Sequence, residues 1–290
     1  MEVNKISIII VAYNSDELIV DAIKSIYKYA DLDQSDYEII VVDNSDTQHH
    51  LILKKVIEKN FNDEEILLIH NEKNGGYGQG NNMGIKASSG NIVCIMNPDV
   101  RFTEPLMIDV LSKFSNHSLA LLGYKQLGGF NYSFYRKPEY KTAFSGWLCK
   151  INNKLNFFNS KKDYLSGAFF FINKEKFVEI GMFDENIFLY YEEPDIANRI
   201  AAKGYEVIFD KSKSYLHLVG NRIAFSEKSF VNEMNALKYY LEKFKIDIKI
   251  YHQKIKNEYQ LKSFAAQLLN DKERSEKFKK ELQKINEIFY

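Results

Sequence analysis

The stretch that decides the fold is Ile92-Val-Cys-Ile-Met-Asn-Pro-Asp99. Five consecutive apolar residues that end in a polar turn are typical of a strand buried on both faces, as the strands of a parallel sheet are. Three earlier apolar runs have the same character, at Ile6–Ala12, Glu38–Val42 and Ile66–His70, and apolar residues at helical spacing separate them. We therefore predict an α/β fold, with a Rossmann-like, mostly parallel central sheet covered by helices on both faces.

The chain after residue 100 has a more varied pattern. Residues 101–125 predict a helix followed by a strand at Leu119–Tyr124, and residues 126–160 predict an irregular loop suited to covering a substrate. The elements predicted next are a strand at Tyr164–Asn173, helices at Lys174–Ile180 and Asp195–Lys203, and a short strand at Val207–Phe209. From about residue 226 the pattern is helical and charged, which predicts a C-terminal helical extension.

The composition excludes some classes of protein. The 290 residues include 39 basic and 39 acidic side chains, so the net charge is zero. A surface without excess positive charge does not favour binding of a nucleic acid. The apolar run that ends at Ala12 is too short for a signal peptide or a membrane span. Cys94 lies within an apolar strand, which predicts a buried thiol in a reducing compartment. We expect a cytoplasmic protein.

Polar side chains follow each of the first four predicted strands. They form the clusters Tyr13-Asn14, Asp43-Asn44, Asn74–Asn82 and Asn97-Pro98-Asp99. The carboxyl ends of parallel strands meet at one edge of a sheet, where α/β proteins bind their ligands. The sequence therefore predicts a binding site at this edge.

Two residues have the chemistry of metal ligands. A carboxylate such as Asp99 can hold a divalent cation that binds and polarises a diphosphate, although Asn-Pro-Asp is also good turn chemistry. His217 lies in an apolar strand, where a histidine is more often structural. If it approaches Asp99, the two supply a mixed nitrogen and oxygen site.

The glycine-rich segment Asn74–Asn82 does not fit the dinucleotide-binding template. Its glycines fall at positions 75, 76, 78 and 80, so the G-x-G-x-x-G spacing fails and a nicotinamide oxidoreductase is a weak alternative. The segment still offers backbone N–H groups before a helix, which suits an anionic ligand.

Three carboxylates surround a proline in Glu192-Glu193-Pro194-Asp195. Acidic residues and proline are common at the start of a helix. A carboxylate in a shielded pocket can equally take the proton of an acceptor hydroxyl group. Both interpretations stay open from the residues themselves.

Taken together, seven motifs in order over about residues 5–222 resemble glycosyltransferase family 2, an inverting family with the GT-A fold, and specifically its rhamnosyltransferase-like branch. They are Ile8–Asn14, Ile39–Ser45, Asn74–Gly84, Asn97–Asp99, Tyr164–Ala168, Gly181–Asp184 and Phe188–Ile196. Asn97-Pro-Asp99 stands where the family has its D-x-D metal motif, and Glu193 stands where its catalytic base is. His217 matches the position of a metal-binding histidine in relatives.

The resemblance implies a role for each matched residue. It implies Glu193 as the base, with Glu192 and Asp195 as alternatives, and a Mn²⁺ or Mg²⁺ ion on Asp99 and His217. The nucleotide-sugar donor would be bound by Ala12, Tyr13, Asn14, Asp43, Asn74, Gly75, Asn81, Asn97 and Asp99. The acceptor would be bound by Ser166, Gly167, Tyr191 and Glu192. The aromatic stretch 126–160 adds Trp147 as a residue for stacking on a sugar ring.

Two departures from the family pattern bear on these roles. The family's base is normally aspartate, and Glu193 is one methylene longer. Asn97 replaces the first acidic residue of the metal motif and neutralises no charge, so Asp99 needs a second ligand. A nucleotide-sugar-binding but inactive partner subunit is therefore an alternative function.

The resemblance implies transfer of rhamnose from dTDP-rhamnose to a hydroxyl of a growing, lipid-linked cell-surface polysaccharide. A UDP-sugar donor, with transfer of galactose, glucose or galactofuranose, is the alternative. We expect a catalytic domain at 1–225, with a nucleotide-binding half at 1–100 and an acceptor-binding half at 101–225, and a helical segment at 226–290. That segment either packs on the catalytic domain or on a second copy in a homodimer, or docks on the inner face of the cell membrane.

Overall fold

A computed structural model describes residues 5–61, 66–129, 132–142, 145–218 and 226–289. The strands in these ranges are β1 (Ile6–Ala12), β2 (Tyr37–Asp43), β3 (Ile66–His70), β4 (Ile92–Met96), β5 (Val100–Phe102), β6 (Leu119–Leu127), β7 (Phe134–Arg136), β8 (Asp163–Leu165), β9 (Phe169–Asn173) and β10 (Glu206–His217). The α-helices are α1 (Asp16–Tyr29), α2 (Thr47–Asn60), α3 (Tyr77–Ala87), α4 (Met107–Phe114), α5 (Ser145–Leu155), α6 (Lys174–Glu179), α7 (Glu192–Ala202), α8 (Glu227–Lys243), α9 (Ile248–Leu268) and α10 (Lys272–Phe289).

Eight of these strands form one sheet in the order β3-β2-β1-β4-β9-β6-β10-β5, while β7 and β8 form a second, antiparallel pair. The first four strands along the chain are parallel neighbours, as predicted. The sheet is mixed beyond β4, because β9 runs antiparallel between β4 and β6, and β5 runs antiparallel to β10.

Both faces of the sheet are buried, which confirms the predicted layers. Alternate residues of β1 point to opposite faces: Ile8 and Ile10 pack with α1 and α4 in one apolar cluster, and Ile9 packs with α3 and α7 in another. Cys94 belongs to the first cluster and is fully buried, as expected for a strand thiol. This packing holds the carboxyl ends of β1, β2 and β4 in fixed positions at one edge.

Three sequence-based expectations were wrong. Residues 126–160 are not a single irregular loop, since they contain β7 and α5. The strand predicted at Tyr164–Asn173 is two strands, because the turn at Ser166-Gly167-Ala168 carries the chain from the small sheet into the large one. The short strand predicted at Val207–Phe209 extends over twelve residues, since its second half also pairs with β5.

The described residues separate into two compact units. One comprises residues up to 186 together with 192–218, and the other comprises 187–191 together with the residues from 226 onward. The second unit has its own core, formed by side chains of α8, α9 and α10 that include Leu237, Tyr240 and Ile285. The C-terminal helical extension is thus confirmed. The predicted boundary at 225/226 adjoins residues 219–225, which lie outside the described ranges, and the domain roles stay predictions.

No helix in the described ranges is both long and apolar enough to cross a membrane.

Candidate active site

The exposed ring of Tyr13 and the buried carboxylate of Asp43 lie at the carboxyl ends of β1 and β2. The Tyr13 side chain is 57% exposed. Asn14 has a positive φ of 49°, and its N–H donates to the Ser45 hydroxyl. Asp43 is fully buried, and its Oδ1 accepts from the Ser45 N–H at 3.0 Å. Ala12 is also buried, and its carbonyl accepts from the Asn44 N–H, which joins the two strand ends.

Two histidines support Asp43. The Nδ1 atom of His50 lies 3.0 Å from Asp43 Oδ2, and it donates, since a carboxylate only accepts. The His50 ring stacks on the His70 ring, with centroids 4.0 Å apart and planes within 6°. His70 Nε2 in turn donates to the Ser45 carbonyl at 3.1 Å. Asp43 is thus held in one orientation at the nucleotide-facing edge predicted from the sequence.

The glycine-rich loop is shaped by asparagine side chains. Asn74 Oδ1 accepts from the N–H of Gly76, whose φ of +93° is in the region that favours glycine. The Asn44 side chain donates to the Gly76 carbonyl and accepts from Asn71. Gly75 lies against the side chain of Gln79, which Asn71 also contacts.

Asn81 and Asn82 face into the protein from α3. The Asn81 amide donates to the Tyr77 carbonyl, and no group in the described ranges bonds its Oδ1. Asn82 holds the backbone N–H and carbonyl of Phe183 at 3.0 and 2.9 Å. The helix that follows the glycine-rich loop is therefore fastened to the segment that precedes α7.

Asp99 and His217 meet, although 118 positions separate them. The distance from Asp99 Oδ2 to His217 Nε2 is 3.2 Å. Backbone hydrogen bonds hold the segments that carry both residues. The Asn97 N–H donates to the Ala168 carbonyl, and the Leu218 N–H donates to the Asp99 carbonyl. His217 is buried, and no described residue bonds its Nδ1.

The pair fits the chemistry of a divalent ion. Carboxylate oxygen and imidazole nitrogen are ligand types that Mn²⁺ accepts, and Mg²⁺ accepts the oxygen. The Asp99 side chain is 20% exposed, so it can be reached from solvent. In the described part of the chain no three His, Cys, Asp or Glu side chains cluster closely enough to hold an ion by themselves. Oxygen atoms of water or of a bound ligand would complete such a site.

The first turn of α7 brings two carboxylates beside the turn between β8 and β9. Glu193 is half-buried, and its carboxylate lies against the backbone of Gly167, where a Cβ atom would come within 1.9 Å of Oε1. Glu192 is buried, and none of the described residues bonds its Oε1. Burial raises the pKa of Glu193, while burial and the adjacent charge of Glu193 raise the pKa of Glu192 well above its ordinary value. Carboxyl groups with raised pKa values are suited to proton transfer near neutral pH.

Asp195 has a different environment. It is fully buried, and its Oδ2 accepts from Arg199 Nε at 2.9 Å and from Nη2 at 2.6 Å. Arg199 also donates to the Ile180 carbonyl at 2.6 Å. The Asp195 carboxylate is thus engaged in a two-point ion pair within α7, and Arg199, which it orients, joins α7 to the end of α6.

The residues predicted for the acceptor have different environments. Trp147 is 65% exposed on α5. Ser166 is buried, with its hydroxyl 3.4 Å from Gln126 Oε1. Tyr191 belongs to the second compact unit, where its ring centroid lies 5.9 Å from that of Tyr240. Gly167 and Glu192 flank Glu193 as described above.

Sequence reasoning missed Tyr77 and His50. The Tyr77 hydroxyl donates to the Gly167 carbonyl at 2.6 Å, and His50 supports Asp43. Tyr77 lies within the glycine-rich motif, so its position in the sequence could have identified it as a candidate site residue. His50 follows Asp43 by seven residues on a charged helix, where nothing in the pattern distinguishes it from a surface residue.

Comparison with known proteins agrees with this geometry. A family model described as "Glycosyl transferase family 2" matches residues 7–181, more than half of the 290-residue chain. The low-salt glycan biosynthesis hexosyltransferase Agl10 of Haloferax volcanii is 27% identical over 202 residues, which are 67% of this chain and 61% of that protein. The rhamnosyltransferase WbbL of Escherichia coli is 22% identical over 241 residues, 76% of this chain and 86% of that protein.

Among solved structures, the mannosyltransferase PcManGT of Pyrobaculum calidifontis, in complex with GDP-Man and Mn²⁺, superposes with a TM-score of 0.61 at 16% identity. The match covers 84% of this chain and 64% of that one. At such identity the likeness concerns the fold, which is the GT-A fold predicted from the sequence. Since the family model covers more than half of its length, the chain belongs to glycosyl transferase family 2.

Proposed function

We propose that this protein is an inverting, metal-dependent glycosyltransferase that moves a sugar from a nucleoside diphosphate sugar to an acceptor hydroxyl group. The observation that carries the proposal is Glu193, a half-buried carboxylate with a raised pKa. It lies in the same compact unit as the Asp99–His217 pair and the polar strand ends. A base, a metal-ligand pair and a nucleotide-binding edge are the parts that sugar transfer requires.

The donor would be held along the edge of the sheet. Asp43 keeps acceptor capacity on a fixed carboxylate, which suits an N–H group of a nucleobase, and the exposed Tyr13 ring offers a stacking surface. Asn14 and Asn97 supply further hydrogen bonds to the donor. Asp99 and His217 would hold Mn²⁺ or Mg²⁺, which when bound neutralises the charge of the departing diphosphate.

Glu193 would act on the acceptor. Its carboxylate takes the hydroxyl proton as the oxygen forms a bond to the anomeric carbon on the face opposite the diphosphate. The bond from that carbon to the diphosphate oxygen breaks, and the diphosphate leaves with the electron pair. One displacement inverts the configuration of the anomeric carbon. The Gly167 backbone lowers the pKa of this carboxyl group, which favours its charged form before the proton moves.

For the substrates, we infer a dTDP-rhamnose donor and a growing, lipid-linked cell-surface polysaccharide as acceptor. The motif resemblance and the likeness to a rhamnosyltransferase support this choice. A UDP-sugar is the second candidate. The proposal includes a cytoplasmic enzyme that works at the inner face of the membrane, with residues 226–290 providing either that contact or a homodimer interface.

A thermal-shift screen tests the nucleotide and the metal together. The ligands are dTDP, UDP and GDP, each with and without Mn²⁺, because a ligand that binds the folded state raises the melting temperature. We expect one nucleotide to stabilise the protein, and Mn²⁺ to increase that shift. His217→Ala should abolish the increase, and His117→Ala, which changes an exposed histidine, should not. Equal shifts with and without Mn²⁺ would contradict the metal site.

Turnover separates the enzyme from an inactive partner subunit. The stabilising nucleotide, supplied as its sugar conjugate with a saccharide acceptor, should release nucleoside diphosphate. Tight binding without release, over a panel of acceptors, would favour the inactive subunit instead.

A further inference from the structure

We propose that Tyr77 is a positioning residue which, through Gly167, fixes the side chain of Glu193 and so joins the glycine-rich loop to the base. The inference rests on the proposed role of Glu193. It concerns one continuous chain of contacts within a single compact unit.

The first contact runs from the donor side of the site. Tyr77 is the first residue of α3, directly after the positive-φ residue Gly76. Its hydroxyl donates to the Gly167 carbonyl at 2.6 Å, across 90 positions of sequence. Gly167 lies in the turn between β8 and β9, so this bond joins the glycine-rich loop to that turn.

The second contact runs from Gly167 to the base. The Gly167 backbone lowers the pKa of the Glu193 carboxyl group, against the burial that raises it. A Cβ atom on residue 167 would lie 1.9 Å from Glu193 Oε1, so the carboxylate rests directly on the glycine backbone. The N–H and carbonyl of one residue flank the same Cα atom. Holding the carbonyl therefore restrains one side of the backbone on which the carboxylate rests.

The Tyr77 ring is held independently of its hydroxyl. It packs edge-on against Phe183, with centroids 5.7 Å apart, and Asn82 on the same helix fixes the backbone of Phe183. Removing the hydroxyl should therefore leave the ring in place. The pKa of Tyr77 is raised by burial and by the charges of Glu193 and Glu192, so the hydroxyl keeps its proton and remains a donor.

This arrangement predicts what the hydroxyl contributes. Without it, the Gly167 carbonyl loses this bond, and the backbone on which the Glu193 carboxylate rests is less restrained. The base then loses its alignment, and the contribution of the Gly167 backbone that lowers its pKa weakens, so its pKa rises further. Misplacement of a reacting group by less than an ångström or so can lower turnover by on the order of 100-fold.

The test is Tyr77→Phe, with Tyr124→Phe as the matched control. Tyr124, on β6, is also a buried tyrosine whose hydroxyl makes one short bond, to Asp109 at 2.7 Å. Its side chain belongs to the apolar cluster on the face of the sheet opposite α7. We expect Tyr77→Phe to lower kcat by about 10- to 100-fold, with the KM for the donor within about twofold of wild type. The acid limb of kcat/KM should move to higher pH. Tyr124→Phe should change neither.

Two outcomes separate this inference from the function on which it rests. If Glu193→Gln is inactive while Tyr77→Phe has wild-type kcat and an unshifted acid limb, the positioning role is wrong and the base assignment stands. If Glu193→Gln remains fully active, the base assignment is wrong, and the positioning role fails with it. A purely structural role for Tyr77 would lower the melting temperature without moving the acid limb, which also overturns the inference.

Discussion

Replacing Asp195 by alanine should destabilise the protein strongly without removing its base. The carboxylate is fully buried, and two short bonds join it to Arg199, whose side chain is 17% exposed. Breaking one partner of a buried ion pair costs about 3–5 kcal/mol, and the partial exposure of Arg199 favours the lower end, about 3 kcal/mol. For a protein of this size, that loss corresponds to a melting temperature lower by about 6–12 °C.

The assay is denaturant unfolding combined with turnover at a temperature where each variant is folded. Asp195→Ala should retain measurable kcat, whereas Glu193→Gln should unfold like wild type and lose turnover. Because Arg199 is left unpaired in the single variant, adding Arg199→Ala should recover part of the lost stability. A destabilisation below about 1 kcal/mol, or complete loss of turnover in a fully folded Asp195→Ala protein, would refute the structural role.

Two further predictions concern the base and the nucleotide edge. Burial raises the pKa of Glu193 above its ordinary 4.5, so its charged form is lost as the pH falls through the raised value. In the wild type, kcat/KM should therefore increase with pH along a limb centred above 4.5, and a limb centred at or below that value would contradict the assignment. His50→Gln should raise the KM for the donor about tenfold with little change in kcat, because Asp43 loses the bond that orients it, a loss of about 1.4 kcal/mol. His49→Gln, an exposed neighbour, is the control, and equal KM values in the two variants would show that His50 does not support donor binding.

The first half of the fold was predictable because its signal is local. Each of β1 to β4 is a short apolar run closed by polar residues, and such runs need little tertiary information. The errors lie in segments whose structure is decided by the pairing of strands. Residues 164–173 are mostly apolar throughout, so no period marks the point at which the chain leaves the small sheet. That point is set by Leu165 pairing with Phe134 and by Phe169 pairing with Met96.

The candidate site also contains residues that the sequence could predict and residues that it could not. The residue types that bear charge, Asp99, Glu193 and His217, could be found in the sequence because their chemistry restricts their use. The residues that hold them could not, since a tyrosine hydroxyl and a backbone carbonyl are ordinary groups until the fold brings them together across 90 positions. Among the three neighbouring carboxylates, sequence could not assign the base. The structure sets Asp195 apart from the two glutamates, because Arg199 lies one helical turn beyond Asp195 and engages it.

The presence of glutamate rather than aspartate at position 193 can be explained by the backbone that its side chain contacts. The family resemblance leads one to expect aspartate there, and glutamate extends the carboxylate by one methylene. In this structure the extension ends on Gly167, where any side chain would place its Cβ 1.9 Å from Oε1. The glycine therefore leaves open the position that the longer side chain occupies, and its backbone lowers the pKa of the carboxyl group there. Glu193 and Gly167 form one matched unit, and Tyr77 fixes that unit from the donor side. The longer side chain is thus accommodated by a small residue, so glutamate at position 193 does not by itself favour an inactive subunit over the proposed enzyme.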